Sequence, residues 1–225
     1  MSYPFDYFCE EIKLDEKEQL IVDQFHKLYF EKLEQKSGLQ ISWLGHHTGK
    51  VPADLWRYQE IIFEYKPDFI VECGTYWGGS AIYMASIMDL INHGRIFSLD
   101  KYPKNPLPTH PRVTYFKGDS SSQESFDKIS KKIPDNSKVL VILDSDHHAE
   151  HVYKEMKLFD KIIPSGGMMI VEDTFLGGNP SHFEYGQGPI PAIEKFLKEN
   201  SNYSIEKKNE RFLFTLNRDG FLRKN

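Results

Sequence analysis

Apolar and polar positions change rhythm along the chain. Between residues 14 and 36, Leu20, Ile21, Phe25, Leu28, Tyr29 and Leu33 recur at helical spacing, with Asp15 placed to cap the start and Gly38 just past the end. A second helix is expected from Pro52, a residue suited to a first helical position, and it must stop before Pro67. From Asp68 short apolar runs alternate with helical patterns. Phe69-Ile70-Val71 precedes a helix from Ser80 to Ile91, and Ile96-Phe97-Ser98-Leu99 precedes a loop. Val139 to Leu143 precedes a helix from His148 to Ile162, and Met168 to Val171 is followed by a helix from Pro191 to Glu199. Such alternation marks an α/β fold with a mainly parallel sheet covered on both faces. Tyr203-Ser204-Ile205 and Phe212-Leu213-Phe214-Thr215-Leu216, separated by charged residues, predict a closing hairpin.

With 225 residues and no internal repeat or low-complexity linker, one domain is the economical reading. The division expected is an N-terminal helical extension over residues 1–66 and a ligand-binding core over 67–225. Hydrophobic residues make up 40% and aromatic residues 14%, enough to fill a core and to exclude wholesale disorder. The net charge of −5, without a Lys/Arg run, argues against nucleic acid or an anionic membrane surface as partner. Two cysteines, Cys9 and Cys73, fit a reducing compartment rather than a disulfide scaffold. No apolar run approaches the roughly 18 residues of a membrane span, and the acidic N-terminus lacks a signal-peptide pattern. A cytoplasmic location is the expectation.

Candidate chemistry sits where strands end. Val71-Glu72-Cys73-Gly74-Thr75-Tyr76-Trp77-Gly78-Gly79-Ser80 follows a strand and opens a helix. Glycines there let the backbone turn tightly and a ligand approach, and the helix start offers free N–H groups to an anion. The spacing departs from the dinucleotide pattern G-x-G-x-x-G, with Glu72 before the first glycine. The next strand ends in Asp100, 28 residues after Glu72, placed to accept hydrogen bonds from ribose hydroxyls. Two more strands run into acids: Asp144-Ser145-Asp146-His147-His148 and Glu172-Asp173. In a doubly wound sheet all these ends face one crevice. Carboxylates so crowded repel each other unless a cation neutralises them, and oxygen ligands without cysteine favour Mg²⁺ or Mn²⁺. Asp144, Glu172 and Asp173 are the expected metal ligands. Asp146 is equally readable as a helix cap, and His148 as an exposed or capping residue. His147, three residues past Asp144, is a candidate general base, since imidazole titrates near neutrality.

These motifs, in this order, resemble class I S-adenosylmethionine-dependent methyltransferases. More narrowly, the chain resembles the cephalosporin hydroxylase / rhamnosyl O-methyltransferase family. The resemblance runs from about Trp43 to Leu197 through Trp43-Leu44-Gly45, Pro52-Ala53-Asp54-Leu55 with Tyr58-Gln59-Glu60, the glycine loop, Leu143-Asp144-Ser145-Asp146-His147, Val171-Glu172-Asp173-Thr174 and Gly188-Pro189 before Ala192. It implies a Rossmann-like seven-stranded sheet, mostly parallel with a C-terminal antiparallel hairpin, S-adenosylmethionine as cofactor and often Mg²⁺. A more distant similarity to catechol O-methyltransferase implies the metal on Asp144, Glu172 and Asp173, and sets His147 where that enzyme has its general-base lysine. Lys117-Gly118-Asp119-Ser120 resembles the loop that meets the adenine amine. The cofactor set expected is therefore Glu72, Gly74, Thr75, Tyr76, Gly79, Ser80, Asp100, Asp119, Ser120 and Asp144, with Asp144 and His147 catalytic. Tyr76 and Trp77 add aromatic contacts.

The implied reaction is methyl transfer to a hydroxyl of a sugar, glycolipid or secondary metabolite. Vicinal hydroxyls could chelate the ion. A hydroxylase of the same family and a non-catalytic cofactor-binding subunit are the alternatives. The first lacks a 2-His-1-carboxylate grouping, and the second would not require the three carboxylates and His147. Residues 174–189, glycine-rich and aromatic, are expected to form a lid or acceptor wall, or else a plain surface loop. A homo-oligomer is possible through the N-terminal helix.

Overall fold

The computed structural model describes residues 11–34 and 41–225. Cys9, Gly38 and the side chain of Leu33 lie outside the described residues. Helix α1 (Glu16–Glu34) starts as expected at Asp15. The Asp15 carboxylate accepts from the N–H groups of Lys17 (2.8 Å) and Glu18 (2.9 Å), while Glu18 reaches back to the Asp15 N–H, a reciprocal cap. Its buried stripe differs from the expected one. Leu20, Ile21, Phe25 and Leu28 are about half exposed or more, whereas His26 and Phe30, one turn apart, face inward. They pack with Val51, Phe175, Leu176 and Leu216 in a small apolar cluster.

A two-stranded ribbon, β1 (Ser42–Trp43) and β2 (His46–His47), leads into α2 (Pro52–Tyr65). Pro52 opens α2, and left-handed Lys66 closes it, before Pro67. The core then alternates as β3 (Phe69–Cys73), α3 (Gly79–Leu90), β4 (Arg95–Asp100), β5 (Val113–Lys117), α4 (Gln123–Ser130), β6 (Val139–Leu143), α5 (Ala149–Phe159), β7 (Met168–Val171), α6 (Ile190–Glu199), β8 (Tyr203–Ile205) and β9 (Phe221–Lys224). The seven-stranded sheet has the order β5-β4-β3-β6-β7-β9-β8, parallel except where β9 joins β7 and β8. Helices α2 and α3 cover one face, and α4, α5 and α6 the other. β6 is buried at every position, as its unbroken apolar run requires.

The closing hairpin is real, but its second strand is not Phe212–Leu216. That segment carries no ladder because its polar groups are spent elsewhere. Buried Asp54 accepts from Thr215 Oγ1 (2.5 Å) and the Leu216 N–H (3.0 Å). The strand is Phe221–Lys224, entered through Gly220, where a Cβ would collide with the Val171 carbonyl. Register aligns Cys73 with both Leu99 and Leu143, and Leu143 with Val171. Gly74, Asp100, Asp144 and Glu172 therefore emerge along one edge of the sheet.

Candidate active site

A cavity of about 540 Å³ opens at that edge. Of the expected cofactor residues, Gly74, Thr75, Tyr76, Gly79, Ser80, Asp100, Asp119, Ser120 and Asp144 all line it, together with Trp77, Asp146 and His147. The glycine loop is pressed against the β6 end: a Cβ on Gly74, at φ +102°, would collide with the Asp144 backbone. Asp100 ties the loop down from the other side. Its Oδ2 accepts from the N–H groups of Thr75 (2.9 Å) and Tyr76 (2.8 Å), and its Oδ1 from that of Tyr102 (2.6 Å). Tyr76 sits at φ 47° with its ring about half exposed, edge-on to His47. Asp119 pairs with Lys101 at 2.9 Å, and this bond brings its carboxyl down to about 2.

Glu72 departs from expectation. It is fully buried beneath the loop rather than part of the cavity wall, and it accepts from Ser80 Oγ (2.5 Å) and Ser98 Oγ (2.6 Å). Burial pushes its carboxyl up to about 7. Glu72 shapes the loop from below.

The expected metal trio is also divided. Asp144, His147 and Asp173 bring one ligand atom each within 4.8 Å of one another. His147 Nε2 lies 3.3 Å from Asp173 Oδ2 and 3.8 Å from Asp144 Oδ1. Glu172 is turned away from this group. Lys50 Nζ stands 2.6 and 2.7 Å from its two oxygens, and Tyr58 donates to Oε1 at 2.7 Å. Burial and the nearby Asp144 push the Glu172 carboxyl up, against the pull of Lys50. Burial also raises Asp173, opposed by His147. For Lys50, burial alone would lower the pKa, but Asp144, Glu172 and Glu72 outweigh it and hold it above its ordinary value. A set of hard carboxylate oxygens and one imidazole fits Mg²⁺ or Mn²⁺.

Sequence reasoning assigned no role to Lys50, Tyr58 or Asn217. Tyr58 and Pro52 to Leu55 stood inside a motif, yet nothing marked the phenol as a partner of Glu172. Asn217 donates to Tyr58 (3.0 Å) and accepts from the Asp173 N–H (3.2 Å), so the C-terminal segment braces both acids. Asp146 behaves as a turn cap, accepting from the His148 N–H at 3.0 Å, and His148 stacks on Tyr185 at 4.7 Å. The loop 174–189 is not a plain surface loop at its start. Thr174, Phe175 and Leu176 are buried, with Phe175 stacked on Phe30 at 4.4 Å, while Phe183 is exposed.

The family model for Rhamnosyl O-methyltransferase/CmcI matches residues 35–225. The chain belongs to that family. Rhamnosyl O-methyltransferase of Mycobacterium leprae is 31% identical over 210 residues, covering 90% of each chain. The protein of that name from Mycobacterium tuberculosis is 32% identical over 215 residues, covering 91% of this chain and 85% of the relative. Among solved structures, an apo form of CmcI superposes with a TM-score of 0.65 at 22% identity, covering 82% of this chain and 76% of CmcI. A Mg–SAM complex of CmcI gives 0.63 over the same shares. The fold expected from sequence, the enzyme class of O-methyltransferase and S-adenosylmethionine as its methyl donor stand with this membership. Among the described residues no helix is long and apolar enough to cross a membrane.

Proposed function

We propose that the chain transfers a methyl group from S-adenosylmethionine to a hydroxyl of a sugar or natural-product acceptor, assisted by Mg²⁺ or Mn²⁺. One observation carries the reading: Asp144 and His147 belong both to the cavity wall and to the cluster able to hold a cation. A donor bound along the glycine loop and an acceptor at the cluster would then be neighbours. The rhamnosyl O-methyltransferase relatives favour a sugar hydroxyl as acceptor.

The sulfonium methyl is intrinsically activated, so no covalent nucleophile on the protein is needed. What the chain must do is align an oxygen with that methyl, which is largely positioning. The ion, held by Asp144 and Asp173, would lower the pKa of an acceptor hydroxyl. In this scheme Asp100 fixes the glycine loop and faces the ribose, with Asp119 and Ser120 at the adenine end. His147 Nε2 faces the same space as Asp144 Oδ1 and Asp173 Oδ2, and is proposed to take the hydroxyl proton. Asp173 then stabilises the imidazolium formed.

The geometry also favours a second role for His147, as the third ligand. The two separate cleanly. Loss of the acidic limb of the pH–rate profile in His147→Ala, with metal affinity retained, marks a base; a drop in metal affinity marks a ligand. For the reading as a whole, Asp144→Asn should abolish metal-dependent methyl transfer from S-adenosylmethionine to a screened panel of sugars and phenols. Full metal-dependent turnover in that variant would sink it.

A further inference from the structure

His151, Glu155 and Ser145 have no part in the scheme above, yet they meet behind Ser120 at one wall of the cavity. His151 and Glu155 stand one turn apart on α5, so both side chains leave the same face of the helix. Glu155 is wholly buried, and among the described residues the basic side chain that meets it is His151, with Nε2 3.4 Å from Oε1. Ser145, in the turn after β6, donates to the same oxygen at 2.7 Å. Ser120, in the turn after β5, is buried and lies 3.2 Å from both Ser145 Oγ and His151 Nε2. Asp119 pins that turn by accepting from the Ser121 N–H at 3.0 Å and from its hydroxyl at 2.7 Å. Ser120, Ser145 and His151 all line the cavity.

The buried carboxylate sets the direction of each hydrogen bond. A carboxylate only accepts, so it takes the one proton that the Ser145 hydroxyl has to give. It also fixes the proton of His151 on Nε2, the nitrogen that faces it. Burial alone would lower the His151 pKa, but Glu155, Asp146 and Asp119 outweigh it and hold the ring above its ordinary value. With its proton spent, Ser145 Oγ can only accept, and Ser120 donates to it. The His151 Nε2–H is the donor on the other side of Ser120. Every proton in the network thus points toward Glu155. What Ser120 has left for the cavity is a lone pair.

We propose that Glu155 and His151 are positioning residues for the methyl donor: with Ser145 they hold the Ser120 hydroxyl as a hydrogen-bond acceptor, which selects a 6-amino purine over a 6-oxo purine. The inference rests on the donor's adenine lying beside Ser120, as proposed above. An amine in front of Ser120 completes the network, whereas a carbonyl there sets lone pair against lone pair. Calorimetry on the full chain compares S-adenosylhomocysteine with its deaminated counterpart, S-inosylhomocysteine. Wild type should bind the adenosyl compound at least about ten-fold more tightly. In Glu155→Met the Ser145 proton is released, the Ser120 proton can turn to the cavity, and the preference should fall at least about five-fold. A merely structural glutamate would weaken both compounds by the same factor. If Glu155→Met does not fold by circular dichroism, Ser145→Ala, which removes the hydroxyl between Ser120 and Glu155, carries the same comparison. An unchanged preference in the folded variant, or no preference in wild type, overturns the inference alone. Failure of wild type to bind S-adenosylhomocysteine overturns the donor site itself and this inference with it.

Discussion

His26 should make this protein acid-sensitive, and the sign and size can be worked from its surroundings. The ring is 1% exposed, and neither nitrogen has a hydrogen-bond partner. It is packed between Phe30 (5.1 Å), Phe175 (5.4 Å) and Phe214 (5.2 Å). Burial, helped by the Arg218 guanidinium and opposed by the nearby Thr215 backbone and by Asp23, lowers its pKa from 6.5 to about 4. The unfolded chain therefore binds the proton more readily. Stability contributed by neutral His26 is complete above pH 6.5 and is lost as pH falls toward 4. At about 1.4 kcal/mol per unit, the loss reaches about 2 kcal/mol near pH 5 and about 3 kcal/mol once titration is complete. Against a total stability of roughly 5–15 kcal/mol this is a large fraction.

His26→Leu keeps the apolar packing and removes the titration. The observable is the difference between wild type and variant, because buried Asp54 and Glu72, both pushed up to about 7, tilt the wild-type curve the opposite way. Urea unfolding of both proteins at about pH 8 and about pH 5 should show the variant gaining about 2 kcal/mol on wild type over that interval. A constant difference at the two pH values would refute the reasoning, and would mean that the α1 contact with the loop opens before His26 must be protonated.

Three further outcomes are expected. Gly74→Ala, forced at φ +102° against the Asp144 backbone, should cost at least about 2 kcal/mol and weaken S-adenosylmethionine binding in calorimetry; unchanged binding would count against the glycine loop as the donor site. Tyr58→Phe removes a hydrogen bond to a carboxylate and orphans the Asn217 donor, so urea unfolding should show a loss of about 2 kcal/mol. A loss below about 0.5 kcal/mol would show that the Glu172 carboxylate is held by Lys50 alone. Asp173→Asn relieves repulsion with Asp144, so the metal-free variant should melt no lower than wild type while the Mg²⁺-induced rise in Tm disappears. Retention of that rise would remove Asp173 from the ligand set.

Much of the architecture was legible because parallel strands buried on both faces read as unbroken apolar runs, and these runs ended in acids. Val139–Leu143 followed by Asp144 is the clearest case, and Asp100 after Leu99 the next. Phe212–Leu216 misled because apolar alternation says nothing about where backbone N–H groups go. The Leu216 N–H is bound by Asp54, far away in sequence, and cannot also serve a ladder. α1 misled in a similar way: its best helical stripe, Leu20 to Leu28, is not the one that His26 and Phe30 bury against Phe175. Lys50 was invisible for a different reason. A lysine in the polar run His46-His47-Thr48-Gly49 has no local signature of burial, and it meets Glu172 only because the segment folds over Gly79.

The six acids at the sheet edge look, in sequence, like one reservoir of negative charge, and −5 for the whole chain invites that view. The structure separates them by what each already meets. Glu72 has two serine hydroxyls, Asp100 three backbone N–H groups, Asp119 has Lys101, and Glu172 has Lys50 and Tyr58. Only Asp144, through Oδ1, and Asp173 face His147 without such a partner. A demand for a cation is therefore confined to a few atoms beside the cavity, not spread over the crevice. That confinement matters for the chemistry. A diffuse acidic pocket would attract any cation and orient none. Two oxygens and one imidazole nitrogen within 4.8 Å define a point, and an acceptor oxygen aimed at a methyl group needs a point.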